Sequence, residues 1–170
     1  MESILNSIFT RRSIRKYTNQ AVLSDLIQTL LKSAMSAPSA CNQQPWHFLV
    51  IDDRNTLNKL SAHNSGYSML EEAPLAILIC GEIEVATLKH FWTLDCAAAT
   101  ENLILAAHAS GLGSVWLGVY PEEDKLTYIK EVLNIPDHIT PFSLVSIGYP
   151  AETKESENRY DEDKIHYGKW

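Results

Sequence analysis

The chain has 170 residues, 45% of them hydrophobic and 21% charged, a balance that suits a single domain over residues 1–170 whose core needs no disulfide framework or structural metal. No apolar run reaches the roughly 18–20 residues of a membrane span, and Met1 to Thr10 has no basic stretch ahead of an apolar one, so a cytoplasmic protein without a signal peptide is expected. A net charge of −7 opposes polyanions and excludes general nucleic-acid binding.

In chain order, Ile4, Leu5 and Ile8 predict a short helix over residues 3–9. Arg11, Arg12, Arg15 and Lys16 follow, so a chain that is acidic overall concentrates cations in one short stretch. Ser24 to Met35 has a plausible N-cap in Ser24 and a helical period in Ile27, Leu30, Leu31 and Ala34. Two prolines bracket small and amide residues from Ala37 to Pro45, which predicts a loop. Trp46 to Ile51 is strand-prone, and a short helix is expected around Thr56 to Ala62.

Leu75 to Gly81 is a continuous apolar run that suits a strand covered on both faces. The longest periodic segment, about Phe91 to Ser110, is apolar nearly all round and stops at Gly111, as a helix buried on most sides does. Its central alanines permit close approach by another helix, including its own copy, and Glu101 and Asn102 within it need partners, for which a dimer contact is expected. Ser114 to Gly118 reads as a strand. Glu122, Glu123 and Asp124 open a helix whose apolar face is Leu126, Ile129, Val132 and Leu133. Phe142 to Ile147 is a final strand before a charged tail.

Several polar and aromatic residues have ordinary structural readings. Cys41, Cys80 and Cys96 lie far apart, form no Cys-x-x-Cys pair and read as packed free thiols. His47 and His108 read as hydrogen-bonded packing residues, and Trp92, Trp116 and Trp170 as core or interface aromatics. Lys154 stands in a tail so charged that solvation is its simplest reading.

The arginine cluster is the first chemical signal. Fork-shaped guanidinium donors and a serine hydroxyl within five residues match what a terminal phosphate dianion accepts. Familiar phosphate loops are missing: Gly111-Leu112-Gly113 lacks the third glycine of the dinucleotide fingerprint and lies between helix and strand in the reverse order.

Four blocks then occur in order: Arg11-Arg12-Ser13-Ile14-Arg15-Lys16-Tyr17, Ala37 to Phe48, Gly111 to Gly118, and Arg159-Tyr160 before Trp170. Together they resemble the signature of the FMN-dependent nitroreductase family. The resemblance implies an α+β fold, a central mainly antiparallel sheet flanked by helices, in an intertwined homodimer with shared active sites. It implies that Arg11, Arg12, Ser13 and Arg15 contact the phosphate, ribityl chain and pyrimidine edge of FMN, with Arg159 a further phosphate contact. Pro38, Ser39, Ala40, Asn42 and Gln44 would meet the flavin from the neighbouring subunit, and Trp116, Leu117 and Gly118 would approach the ring with a main-chain N–H at N5. The stretch Gly66 to Leu70 offers only Tyr67 and Ser68 where larger relatives place polar or basic residues.

The implied activity is transfer of two electrons from NADH or NADPH, by ping-pong hydride transfer through flavin N5, to a small electrophile such as a nitroaromatic or quinone. The flavin carries the chemistry, so no catalytic side chain and no metal is expected. Two alternatives share the same blocks: an FMN enzyme with another reaction, such as reductive dehalogenation or ring dehydrogenation, and a non-catalytic flavin-binding module.

Overall fold

A computed structural model describes residues 4–170. Four strands, β1 (Trp46–Ile51), β2 (Leu75–Glu82), β3 (Gly113–Gly118) and β4 (Ile139–Gly148), form one sheet in the order β1-β2-β4-β3. Every pairing is antiparallel. Among the described residues five α-helices flank it: α1 (Ile4–Thr10), α2 (Ser24–Met35), α3 (Arg54–His63), α4 (Trp92–Ala109) and α5 (Glu123–Leu133). The expected α+β architecture is the one observed.

The two-residue period of β2 explains the layering, because successive side chains leave a strand on opposite faces. Leu75, Ile77 and Ile79 pack with Leu30 of α2 and Leu103 of α4. Ala76, Leu78 and Cys80 pack on the other face with Leu57 and Leu60 of α3 and Ile129 of α5. Ile77, Leu78 and Ile79 are completely buried, and each such side chain contributes roughly 1.5–3 kcal/mol. That two-sided cover is why β2 reads as an unbroken apolar run.

Local chemistry sets the boundaries, and several differ from expectation. The helix expected over residues 3–9 forms as Ile4–Thr10, with Ser3 outside the described residues. In α2, Ser24 is the first helical residue rather than the cap, which is Leu23 with no side-chain hydrogen bond. Asp53 caps α3 by accepting from the Thr56 N–H at 2.8 Å, so that helix begins earlier than its apolar residues indicate. β4 starts at Ile139, because Ile139 and Thr140 pair with Glu82 and Gly81. Pro141 masks this extension in the sequence; it lies at a register shift, where the missing N–H donor is tolerated.

Two glycines turn α4 into β3. Gly111 has φ +77°, and the Leu112 N–H reaches back to the Ala107 carbonyl, closing the helix with a left-handed cap. At Gly113, an added Cβ would stand 2.7 Å from the Ile14 side chain, so only glycine lets the arginine segment run this close to β3. Among the described residues no helix is long and apolar enough to cross a membrane.

Candidate functional site

The arginine segment is pinned along the outer edge of β3. Ser13 bridges Ser114, and the Ile14 N–H donates to the Ser114 carbonyl at 3.0 Å. Ile14 and Tyr17 point into the core, and the Tyr17 hydroxyl donates to the Ile14 carbonyl, so the backbone between them is fixed. Arg15 is left at the surface.

The C-terminal tail folds back over this segment. Arg12 donates to the carbonyls of Phe9, Arg11, Glu155 and Glu157. Four of its five N–H donors are therefore spent, and two of them strap the tail down at Glu155 and Glu157. Lys154, expected to be solvated, instead donates to the Ser13 carbonyl at 2.7 Å and pairs with Glu152 at 3.4 Å. Glu152 accepts the Arg15 N–H at 2.6 Å, and that backbone donor, with help from Lys154, holds its carboxyl below the usual range.

This folding brings Arg11, Arg12 and Arg159 around one cleft of about 540 Å³, with Ile8, Asn158 and Tyr160 on its other walls. The Arg11 guanidinium has no hydrogen-bond partner among the described residues. Among the described residues Arg159 is held by an exposed contact to Glu157 at 3.7 Å, a pair that is weak in water. A second cleft of about 520 Å³ opens on the other side of Arg12, between His108 and Lys154. The cluster is thus no plain solvated face, since a tail some 140 residues away folds over it and takes up two Arg12 donors with its backbone carbonyls.

β3 supplies a free backbone edge. Because the Ser114 carbonyl faces outward to Ile14, the alternation of an antiparallel strand turns the N–H and carbonyl groups of Trp116 and Gly118 outward too. The Gly118 carbonyl meets the Tyr67 hydroxyl there, which donates to it at 2.7 Å. Tyr67 is buried, and that desolvation, with Glu122 next in effect, lifts its phenol to about 12, so it stays protonated as the donor. Space above Gly118 is open: an added Cβ would meet nothing within 4 Å. Leu117 points into the core, while half-buried Trp116 packs edge-on against Phe142. Ser68 is exposed.

The loop from Pro38 to Gln44 lies elsewhere. Cys41, Asn42 and Gln44 hold φ values of 50°, 54° and 46°, left-handed conformations that cost free energy in residues other than glycine. Buried Asp95, in the first turn of α4, accepts the Ala40 N–H and the Gln43 side-chain amide. Ser39 caps the Gln44 N–H. Pro38 and Asn42 are exposed.

α4 measures the separation. Its Asp95 end holds this loop, and its His108 end meets Thr10 beside the arginines at 2.8 Å. Thirteen residues at 1.5 Å rise place the two roughly 20 Å apart. One chain therefore gathers Arg11, Arg12, Ser13, Arg15 and Arg159 near the Ser114 end of β3. Trp116 to Gly118 run toward the other end of α4, where the Trp92 ring meets Tyr120 and Phe142. Pro38, Ser39, Ala40, Asn42 and Gln44 are not brought to the arginines.

Some readings need correction. Cys41 is exposed, so only Cys80 and Cys96 are packed thiols. His47 is surface-exposed and paired with Glu82 at 2.9 Å, and Trp170 is fully exposed rather than core. Asn102 finds its partner within the chain, the Ser33 carbonyl at 3.1 Å, whereas Glu101 is exposed and so remains available for the expected dimer contact. Sequence reasoning missed Asp95, Gln43 and Glu152. An acid among apolar residues at the start of an otherwise buried helix was the available signal for Asp95, since a buried carboxylate demands donors.

A flanked antiparallel sheet with a cationic cleft at one strand edge is an α+β scaffold with a place for an anionic group. The family model of the nitroreductases matches residues 8–67 and 63–149, and the chain belongs to that family. A protein of Archaeoglobus fulgidus, provisionally named NADH dehydrogenase/NAD(P)H nitroreductase, is 46% identical over all of both chains. An FMN-dependent nitroreductase of Clostridium difficile is 33% identical with a TM-score of 0.91, covering 98% of this chain and 99% of its own. A provisionally named nitroreductase of Desulfovibrio desulfuricans, solved in complex with FMN, is 30% identical with a TM-score of 0.84, covering 97% and 96%.

Proposed function

We propose that the chain is an FMN-dependent NAD(P)H oxidoreductase that passes two electrons to a small electrophile such as a nitroaromatic or quinone. The observation that carries this reading is the arginine segment fixed against the open edge of β3, with Arg159 returned to the same cleft. When bound, FMN supplies the hydride chemistry, accepting two electrons from the nicotinamide donor and yielding them to the acceptor.

The residues present fit that group. Arg11 and Arg159 would hold a phosphate, since neither guanidinium is committed to a buried protein partner. Arg12 would act mainly by strapping the tail, so that Arg159 is delivered to the cleft. Exposed Arg15 would favour an electron-rich ring edge, and the outward N–H groups of Trp116 and Gly118 would meet the ring with no side chain above Gly118. That open face would let donor and acceptor take turns at one position, which is ping-pong behaviour.

The remaining block requires a second copy. Pro38, Ser39, Ala40, Asn42 and Gln44 lie too far from the arginines of their own chain, so each would serve the neighbouring site in a homodimer. Exposed Ile4, Leu5, Ile8 and Phe9 on α1 and Leu94 on α4 are apolar surface that such a partner would cover. The test is a fluorescence titration of flavin-free protein with FMN, in which saturable quenching at one FMN per chain is expected. Absence of saturable binding would reject the reading.

A further inference from the structure

Asp95 has no part in the four sequence blocks, yet its carboxylate is buried with 4% exposure and both oxygens are directed at one loop. Oδ1 accepts the Ala40 N–H at 2.8 Å, and Oδ2 accepts from Gln43 Nε2. Gln43 in turn accepts the Leu88 N–H at 2.9 Å through Oε1 and donates to the Leu88 carbonyl at 3.3 Å through Nε2. One carboxylate and one amide thereby tie three pieces of chain together: the loop, the segment entering α4, and α4 itself.

The loop needs such a restraint. Three residues other than glycine are held left-handed within four positions, a conformation that an unrestrained loop would leave. The Asp95 contacts fall at Ala40 and Gln43, on either side of Cys41 and Asn42. Burial makes the arrangement sensitive to polarity, because a buried donor or acceptor left unmatched costs more than the bond itself contributes.

We infer that Asp95 is a positioning residue for the flavin site: through Ala40 and Gln43 it fixes the Pro38 to Gln44 loop in the conformation offered to the neighbouring subunit. This rests on the proposed function, since the loop matters to flavin only if the site is shared. Asp95 touches neither cofactor nor substrate and acts through the loop alone.

The polarity of the Asp95 and Gln43 pair allows a direct test by exchange. Asp95→Asn sets an amide donor against the Gln43 amide donor, while the double variant Asp95→Asn with Gln43→Glu restores donor to acceptor at this pair and keeps an acceptor for the Leu88 N–H, giving up only the longer 3.3 Å donation to the Leu88 carbonyl. FMN affinity and thermal unfolding of the flavin-free protein are measured for each. Asp95→Asn is expected to weaken FMN binding about ten-fold or more, from the cost of an unmatched buried polar contact. The double variant should return to within about three-fold of the unaltered protein, as restored pairing requires. Should Asp95→Asn fail to fold, Gln43→Met on the half-buried loop serves instead, with weaker FMN binding and a lowered unfolding temperature expected, since Asp95 Oδ2 loses its donor.

Tight FMN binding by Asp95→Asn, or by Gln43→Met, overturns the inference. So does a double variant that recovers the unfolding temperature but not the affinity, because that marks a purely structural carboxylate. If the unaltered protein binds no FMN, the proposed function itself has failed, an outcome distinguishable from both.

Discussion

Arg11 and Arg12 stand side by side in sequence and do different work. Arg12 is committed to four backbone carbonyls, so Arg12→Ala is expected to loosen the tail and weaken flavin retention indirectly. Arg11→Ala should remove a charged hydrogen bond to the phosphate, costing about 1.5–3 kcal/mol of FMN affinity with little change in unfolding temperature. Titration and thermal melting of both variants separate these roles; equal losses of stability would count against the assignment. Glu152 has a pH signature. Its carboxyl is held below the usual range in the folded chain, so the stability it contributes is present above the ordinary carboxylate range and is lost as pH falls through the lower, folded value. Glu152→Gln should therefore flatten the acid side of the melting-temperature profile, and an unchanged acid slope would show that the Arg15 N–H contact contributes nothing.

Elements were legible in the sequence wherever periodicity and burial agree. The apolar run of β2 and the all-round apolar α4 are read correctly because both are covered on nearly every side. Boundaries set by one polar contact or one proline were not: Asp53 capping α3 and Pro141 inside β4 both act against the hydrophobic pattern. Glycine positions give a sharp check at this scale. An alanine at Gly113 would drive its methyl into Ile14, and one at Gly81 would stand 2.4 Å from the Trp92 ring. Gly113→Ala is expected to cost about 1–3 kcal/mol by overpacking. Because Ile14 carries the arginine segment, it should also weaken FMN binding. Thermal melting and titration test both; a Gly113→Ala protein as stable as the parent would show that the segment has room to shift.

At the scale of the whole molecule, the arginines and the Pro38 to Gln44 loop sit at opposite ends of α4, and the proposed homodimer would bring the loop of one chain to the arginines of its neighbour. Half of this was visible in the sequence. The arginines, Arg159 and the β3 block are contiguous motifs, whereas Asp95, Gln43, Glu152 and the strap made by Arg12 depend on contacts between residues far apart in the chain. No local pattern encodes such pairs. Light scattering should give twice the 19.1 kDa chain mass, and a monomer that still binds FMN tightly would sink the shared site. The most direct test is the visible spectrum of the purified, FMN-loaded protein, recorded without oxygen before and after addition of NADH or NADPH. A flavin spectrum that bleaches with the nicotinamide donor and returns on addition of a quinone or nitroaromatic is the predicted result. A bound flavin that neither donor bleaches would contradict the account and leave a module that holds FMN without turnover.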